Sequence, residues 1–133
     1  MHQLTSQDYQ NLLAFRTGLR RFQHWSQAQA RAVGLTPAQH QLLLAIKGHC
    51  GPASPAIGDL AGYLLRQPHS TVELVDRAET SGLVERSGDS GDARLTRVRL
   101  TADGEKRLNQ LAAAHLEELQ QLAPVLDPLA AGS

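Results

Sequence analysis

Aromatic side chains are scarce in this sequence of 133 residues: two phenylalanines, two tyrosines and one tryptophan, 4% of the chain. Leucine, alanine and valine must therefore fill any core. A single cysteine, Cys50, excludes an internal disulfide and suits a reducing compartment. No apolar run approaches the ~20 residues that a membrane span needs. Met1-His2-Gln3-Leu4 lacks the charged segment and apolar core of a signal peptide. The sequence therefore predicts a cytoplasmic protein with no membrane partner. Signatures of catalysis are also missing: there is no Gly-rich phosphate loop, no Cys/His ligand set, and no Ser/His/Asp arrangement on a recognisable turn. None of the six histidines pairs at ligand spacing with a carboxylate or cysteine on one face. Neither a metal nor another cofactor is expected, and the chain reads as a non-enzyme.

Charge of one sign is lacking as well. Thirteen basic side chains oppose thirteen acidic ones, and the net charge is zero, which taken alone counts against nucleic acid. The distribution is uneven, however. Residues 1–49 hold Arg16, Arg20, Arg21, Arg31 and Lys47 against Asp8 alone, and residues 86–107 hold six basic side chains against four acidic ones. The acidic surplus lies in 50–85 and 108–133. A neutral total can hide a positive face.

What the chain does have is helical periodicity and one hairpin. Leu12, Leu13, Phe15, Leu19, Phe22, Trp25 and Ala28 mark a first helix over 7–33. Thr36 is an N-cap with Pro37 at the first helical position, and Leu42, Leu43, Ala45 and Ile46 give the second helix its apolar face. Gly48 to Pro55 reads as a loop and Ala56 to Leu65 as a short third helix. Pro68 opens a fourth helix that runs to Ser81, with Gly82 as its stop. Thr71, Leu74, Val75 and Ala78 form its buried stripe, which leaves His69, Glu73, Asp76, Arg77 and Thr80 outward.

Alternating apolar residues around Val84 and Arg86, and again around Val98 and Leu100, predict a two-stranded ribbon. Asp89, Ser90, Gly91 and Asp92 supply its turn, and Arg94 stands just past the tip. Thr101 caps a last long helix from Asp103 to Leu122, with Gly104 at its third position. Leu108, Leu111, Ala112, His115, Leu119 and Leu122 lie near one face of that helix, and Pro124 and Pro128 are expected to break the tail. The fold class is mainly α (α+β): a single domain over 1–133 in which 34–102 form a winged helix-turn-helix. Helices over 1–33 and 103–128 flank that unit, and their exposed apolar faces call for a second copy of the chain.

With those residues in place, the sequence resembles the MarR family of transcriptional regulators. The resemblance is carried by Ser70-Thr71-Val72, Leu74-Val75-Asp76-Arg77, Gly82-Leu83-Val84-Glu85-Arg86, Asp92-Ala93-Arg94, and Val98-Arg99-Leu100-Thr101-Ala102-Asp103-Gly104. It implies a cytoplasmic homodimer, usually a repressor, on a pseudo-palindromic operator in double-stranded DNA. The fourth helix would enter the major groove and a wing arginine the adjacent minor groove. Many members lose DNA affinity when a small, often aromatic, ligand binds between the dimerisation and DNA-binding regions.

Carried onto this chain, the resemblance makes Arg94 the minor-groove arginine and Asp92 the carboxylate that orients it. On the helix the candidate set is Gln67, His69, Ser70, Thr71, Val72, Glu73 and Arg77. Ser70 is either a phosphate donor or a helix-start hydrogen bond. Val72 can pack on a thymine methyl and Glu73 can accept from cytosine N4. The family often has small hydroxyl or basic residues where Val72 and Glu73 stand. Arg77 is open to two readings, as a phosphate contact or as the partner of Glu73. Phe22, His24, Trp25, His40 and His115 are the candidate lining of an effector pocket, with core packing the competing role for Phe22 and Trp25. Cys50 reads as a passive thiol. The competing function is a winged-helix interaction or ligand-binding module with little DNA affinity.

Overall fold

Two threonine capping boxes open the first two helices. The computed structural model describes residues 3–89 and 91–131. Helix α1 (Ser6–Ala32) starts where Thr5 Oγ1 accepts from the Asp8 amide at 3.2 Å and Asp8 returns a bond to the Thr5 amide at 2.8 Å. Helix α2 (Pro37–Gly48) repeats the device with Thr36 and Gln39, both bonds at 3.1 Å. Between them Gly34, at φ +79°, turns the chain out of α1. Helix α3 (Ile57–Leu64) and helix α4 (Pro68–Thr80) follow, then strands β1 (Val84–Asp89) and β2 (Asp92–Leu100), and helix α5 (Ala102–Ala131).

One apolar cluster joins all of them. Leu35, Leu42, Leu43 and Ile46 from around α2, Leu60 from α3, and Leu74, Val75 and Ala78 from α4 are buried against Leu83, Val84 and Val98 of the wing base and Leu108 and Leu111 of α5. The predicted stripe of α4 is buried in full, Thr71 included. The wing is antiparallel, with Val84 opposite Leu100 and Arg86 opposite Val98, and its register shifts between Gly88 and Asp89. The outer edge of β2 is partly covered too, because the Val98 amide donates to the Pro55 carbonyl at 2.9 Å and Ala56 bridges Arg97. Ser90, expected in the wing turn, lies outside the described residues.

The junction of wing and α5 is tight. Thr101 Oγ1 caps α5 by accepting from the Gly104 amide at 3.0 Å, and its hydroxyl donates to the Gly82 carbonyl at 2.6 Å. The Thr101 amide donates to the Leu83 carbonyl at 3.0 Å. A Cβ on Gly104 would lie 2.1 Å from that same Leu83 oxygen, so only glycine permits this approach. One turn along α5, Arg107 Nη1 reaches the Val33 and Gly34 carbonyls at 3.3 and 3.4 Å, which ties α5 to the end of α1.

The tail departs from expectation. The sequence predicts a break at Pro124 and Pro128, yet α5 continues through both to Ala131. Each proline removes one intrahelical donor, and packing against α1 opposes that loss. A Cβ on Gly18 of α1 would lie 3.0 Å from Leu122 Cδ1 and 3.8 Å from Val125 Cγ1, so the two helices run close together around the first proline. Among the described residues no helix is long and apolar enough to cross a membrane.

These contacts separate the glycines. Gly104→Ala is expected to cost about 1–3 kcal/mol of stability, because the backbone carbonyl it meets cannot move aside. Gly62→Ala, in the open interior of α3, is expected to gain up to about 1 kcal/mol from helix propensity. Thermal melts of the two variants check the order, and equal midpoints would remove the Leu83 contact from this account.

Candidate nucleic-acid interface

Helix α4 begins with Gln67 as an N-cap that makes no side-chain capping bond, followed by Pro68 at the first position. Its exposed face carries His69, Glu73, Asp76, Arg77 and Thr80, with Ser70 and Val72 half-buried. Thr71 is a correction to the candidate DNA-facing set. It is fully buried, and its hydroxyl donates to the Gln67 carbonyl at 3.0 Å. Position 71 falls on the stripe shared with Leu74, Val75 and Ala78, so the side chain serves the core.

Around Ser70 the surface is concave. Arg66, Ser70, Glu73, Leu74 and Arg77 line a cleft of about 270 Å³ with Thr36, Ala38 and Gln39 of α2. Arg66 Nη1 donates to Ser70 Oγ at 3.0 Å, so the serine hydroxyl is held by a cation and not by the helix-start backbone. Glu73 and Arg77 share this cleft, but no ion pair joins them among the described contacts. Arg66 belongs to the site and escaped the sequence reading. The signal available was its spacing, one helical turn before Ser70 and in a segment read only as a turn.

The wing is braced to α4 from its base. Arg86 in β1 pairs with Asp76 and, at 3.4 Å, with Glu79; its amide donates to Glu79 Oε2 at 3.3 Å. These two carboxylates lie on the outward side of α4, three residues apart, so one guanidinium fixes the helix against the strand. Farther out, Arg97 pairs with Asp89 at 3.3 Å and donates to the Ser54 carbonyl at 3.0 Å. Arg99 pairs across the ribbon with Glu85 at 3.1 Å. Arg94 is the opposite case: its side chain is 91% exposed. Asp92 Oδ1 accepts from the Arg94 amide at 2.9 Å and from its Nε at 3.4 Å, the orienting contact expected from the sequence.

These pairs explain how a neutral chain can present cations. Lys47 is bound by Glu105 and Arg107 by Asp103, and Arg86, Arg97 and Arg99 are likewise neutralised within the domain. Among the described residues from α3 to β2, Arg66 and Arg77 have no carboxylate partner, and Arg94 touches only Asp92 of its own turn.

A second concavity of about 410 Å³ lies between α1, α2 and α5, lined by Leu19, Phe22, Ser26, His40, Leu44, His115 and Leu119 among others. Three of the five candidate pocket residues, Phe22, His40 and His115, meet there. Trp25 stands behind the wall, its ring 4.8 Å from that of His115 and 6.1 Å from that of Phe22. His24 does not join them; it is exposed, because two residues from Phe22 a helical side chain points to the other side. His115 Nδ1 lies 2.9 Å from the Leu111 carbonyl and its Nε2 lies 2.7 Å from Ser26 Oγ. His40 packs edge-on against His115 with ring centroids 4.7 Å apart. Burial, and after it the charge of His115, hold the His40 imidazole below its ordinary value of 6.5. Elsewhere His49 is engaged with the Tyr63 hydroxyl at 2.7 Å beside an exposed Cys50. No group of three or more His, Cys, Asp or Glu among the described residues could hold a metal ion.

Comparison with known proteins places this geometry. Residues 33–95, from the end of α1 to the wing, match the model of the MarR family. An uncharacterised HTH-type transcriptional regulator of Bacillus subtilis, YsmB, is 32% identical over 66 residues, which span 50% of this chain and 45% of that protein. The fold superposes on AbsC, a MarR family transcriptional regulator from Streptomyces coelicolor, with a TM-score of 0.72 at 20% identity, covering 98% of this chain and 96% of AbsC. It superposes equally, at 0.72 and 20% identity, on S. aureus MepR crystallised with DNA, over 92% of this chain and 85% of MepR. The segment from the end of α1 to the wing thus resembles the MarR family, and nearly the whole chain shares the fold of AbsC and MepR.

Proposed function

We propose that this protein is a sequence-specific DNA-binding transcriptional regulator that works as a homodimer on a pseudo-palindromic operator. The observation that carries the reading is Arg94, an exposed cation oriented by Asp92 on a wing that Arg86 locks to α4. In this reading α4 lies in the major groove, with Gln67, His69, Val72 and Glu73 toward base edges. Arg66, Ser70 and Arg77 take backbone phosphates, which position the helix without reading sequence. Arg94 enters the adjacent minor groove, where a narrow, strongly negative channel favours arginine. MepR, crystallised with DNA in this fold, supports the arrangement.

The partner copy covers the outer faces of α1 and α5. Leu4, Tyr9, Leu12, Leu13, Leu116 and Leu119 are all exposed in the single chain, more apolar surface than a monomer ordinarily leaves bare. The cavity between α1, α2 and α5 is of the size that takes a small ligand, and Phe22 and the two imidazoles suit an aromatic one. A repressor released by such a ligand is the form of regulation proposed, in the cytoplasm and without metal or catalysis.

Fluorescence anisotropy on fragments from the promoter beside the gene, at several salt concentrations, is the test. Binding with a steep salt slope is expected, and Arg94→Ala should weaken it by about 1–3 kcal/mol. Ser70→Ala and Arg66→Ala should weaken all sequences alike, whereas Glu73→Gln should change which sequence is preferred. A folded dimer that binds no fragment at low salt would overturn the DNA reading in favour of an interaction module. Sedimentation is expected to give a dimer for the native chain and a monomer for Leu13→Glu with Leu116→Glu. A monomeric native chain would refute the assembly.

A further inference from the structure

Two imidazole rings meet edge to face where α2 touches α5, and DNA contact uses neither of them. His115 has both nitrogens committed. The Leu111 carbonyl can only accept, so Nδ1 carries the proton. Nε2 of the neutral ring then accepts from the Ser26 hydroxyl at 2.7 Å. His40 is 8% exposed and lies against this ring at 4.7 Å, on the wall of the cavity. The groups facing it carry no compensating charge: α1 presents Ser26 and two glutamines, α5 presents His115 and two leucines, and α2 itself adds Gln41 and Leu44. His115 is the one ionisable group whose charge reaches His40. A proton taken up by His40 finds no carboxylate among the described residues that line the cavity.

We propose that the His40–His115 contact is a proton-operated latch that holds α2 against α5 while the His40 ring is neutral and releases it when that ring takes up a proton. The link to function rests on the DNA reading above. His40 sits one turn into α2, directly after Thr36, Ala38 and Gln39, which form one wall of the cleft whose other wall is Arg66, Ser70 and Arg77. Releasing the first turns of α2 from α5 therefore disturbs the seat of α4 and its phosphate contacts. The sign follows from the depressed folded-state value of His40. The unfolded chain binds its proton more readily, so the latch contributes fully above 6.5 and its contribution is lost as pH falls through the lowered folded value. The working window lies below 6.5.

The experiment compares operator affinity at constant ionic strength between about pH 7.5 and about pH 5.5, with thermal unfolding of the free protein over the same range. The native chain serves as the parent, and His69, exposed on α4, is common to every variant compared. The parent is expected to lose affinity several-fold on acidification, and its unfolding midpoint should fall with it. Adding His40→Gln, or separately His115→Gln, should flatten both profiles. An identical pH profile for the parent and both variants would overturn the latch, whichever variant folds better. If no fragment is bound at any pH, the DNA reading fails, and the unfolding profiles still decide whether the pair is proton-linked.

Discussion

The carbonyl of Leu83 is the point on which α4, the wing and α5 converge. It follows the stop of α4 at Gly82, opens the first strand, accepts the Thr101 amide, and lies where any side chain on Gly104 would have to be. Helix α5 can start there only because position 104 has no Cβ. Thr101 then spends its hydroxyl twice, accepting from Gly104 and donating to Gly82. Buried backbone groups that would otherwise be orphaned at three element ends are satisfied within a few residues. The order of α4, wing and α5 is thereby converted into a fixed angle among them. Arg86 extends the same constraint outward by clamping Asp76 and Glu79.

Electrostatics follows from this geometry and not from composition. Exposed ion pairs of this kind contribute little to stability, but they decide which cations remain available. Arg97 and Arg99 look equivalent to Arg94 in a count of charges. In the fold Arg97 pairs with Asp89 and Arg99 with Glu85 across the ribbon, while Arg94, at the irregular outer end of β2, keeps its side chain 91% exposed. A chain of zero net charge can thus present a cation, because its carboxylates engage those that build the wing and leave Arg94 exposed beside Asp92. Glu73 is the exception, an exposed carboxylate in the cleft with Arg66 and Arg77. Its place there matters more for sequence preference than for overall attraction.

Much of the fold was legible because local chemistry and burial agreed. Thr36-Pro37, Gln67-Pro68 and Gly82 marked helix limits, and the stripe of α4 emerged from its period. Failures occurred where tertiary contact outweighed local preference. Pro124 and Pro128 are helix breakers by chemistry, yet packing of Leu122 and Val125 over Gly18 involves residues more than a hundred positions apart, which no window along the chain can reveal. Thr71 belonged both to the family motif and to the buried stripe, and the stripe decided its place. His24 was grouped with its neighbours by proximity in sequence, whereas the helical turn separates it from Phe22. Arg66 lay in a three-residue turn without periodicity, and only folding brings it to Ser70.

The cavity explains why α2 is the element to watch. Two of its walls, α1 and α5, run along each other for most of their length, anchored by the close approach at Gly18 and by Arg107 on the end of α1. A partner copy over their leucines would stiffen that pair further. Helix α2 faces α5 through the His40 and His115 rings on the cavity side and through Lys47 and Glu105 farther along, and its first turn borders α4. An event in the cavity meets α2 at the His40–His115 contact. That helix is also the one whose start borders α4. In the proposed reading, coupling between the cavity and DNA would need no longer pathway than that one helix.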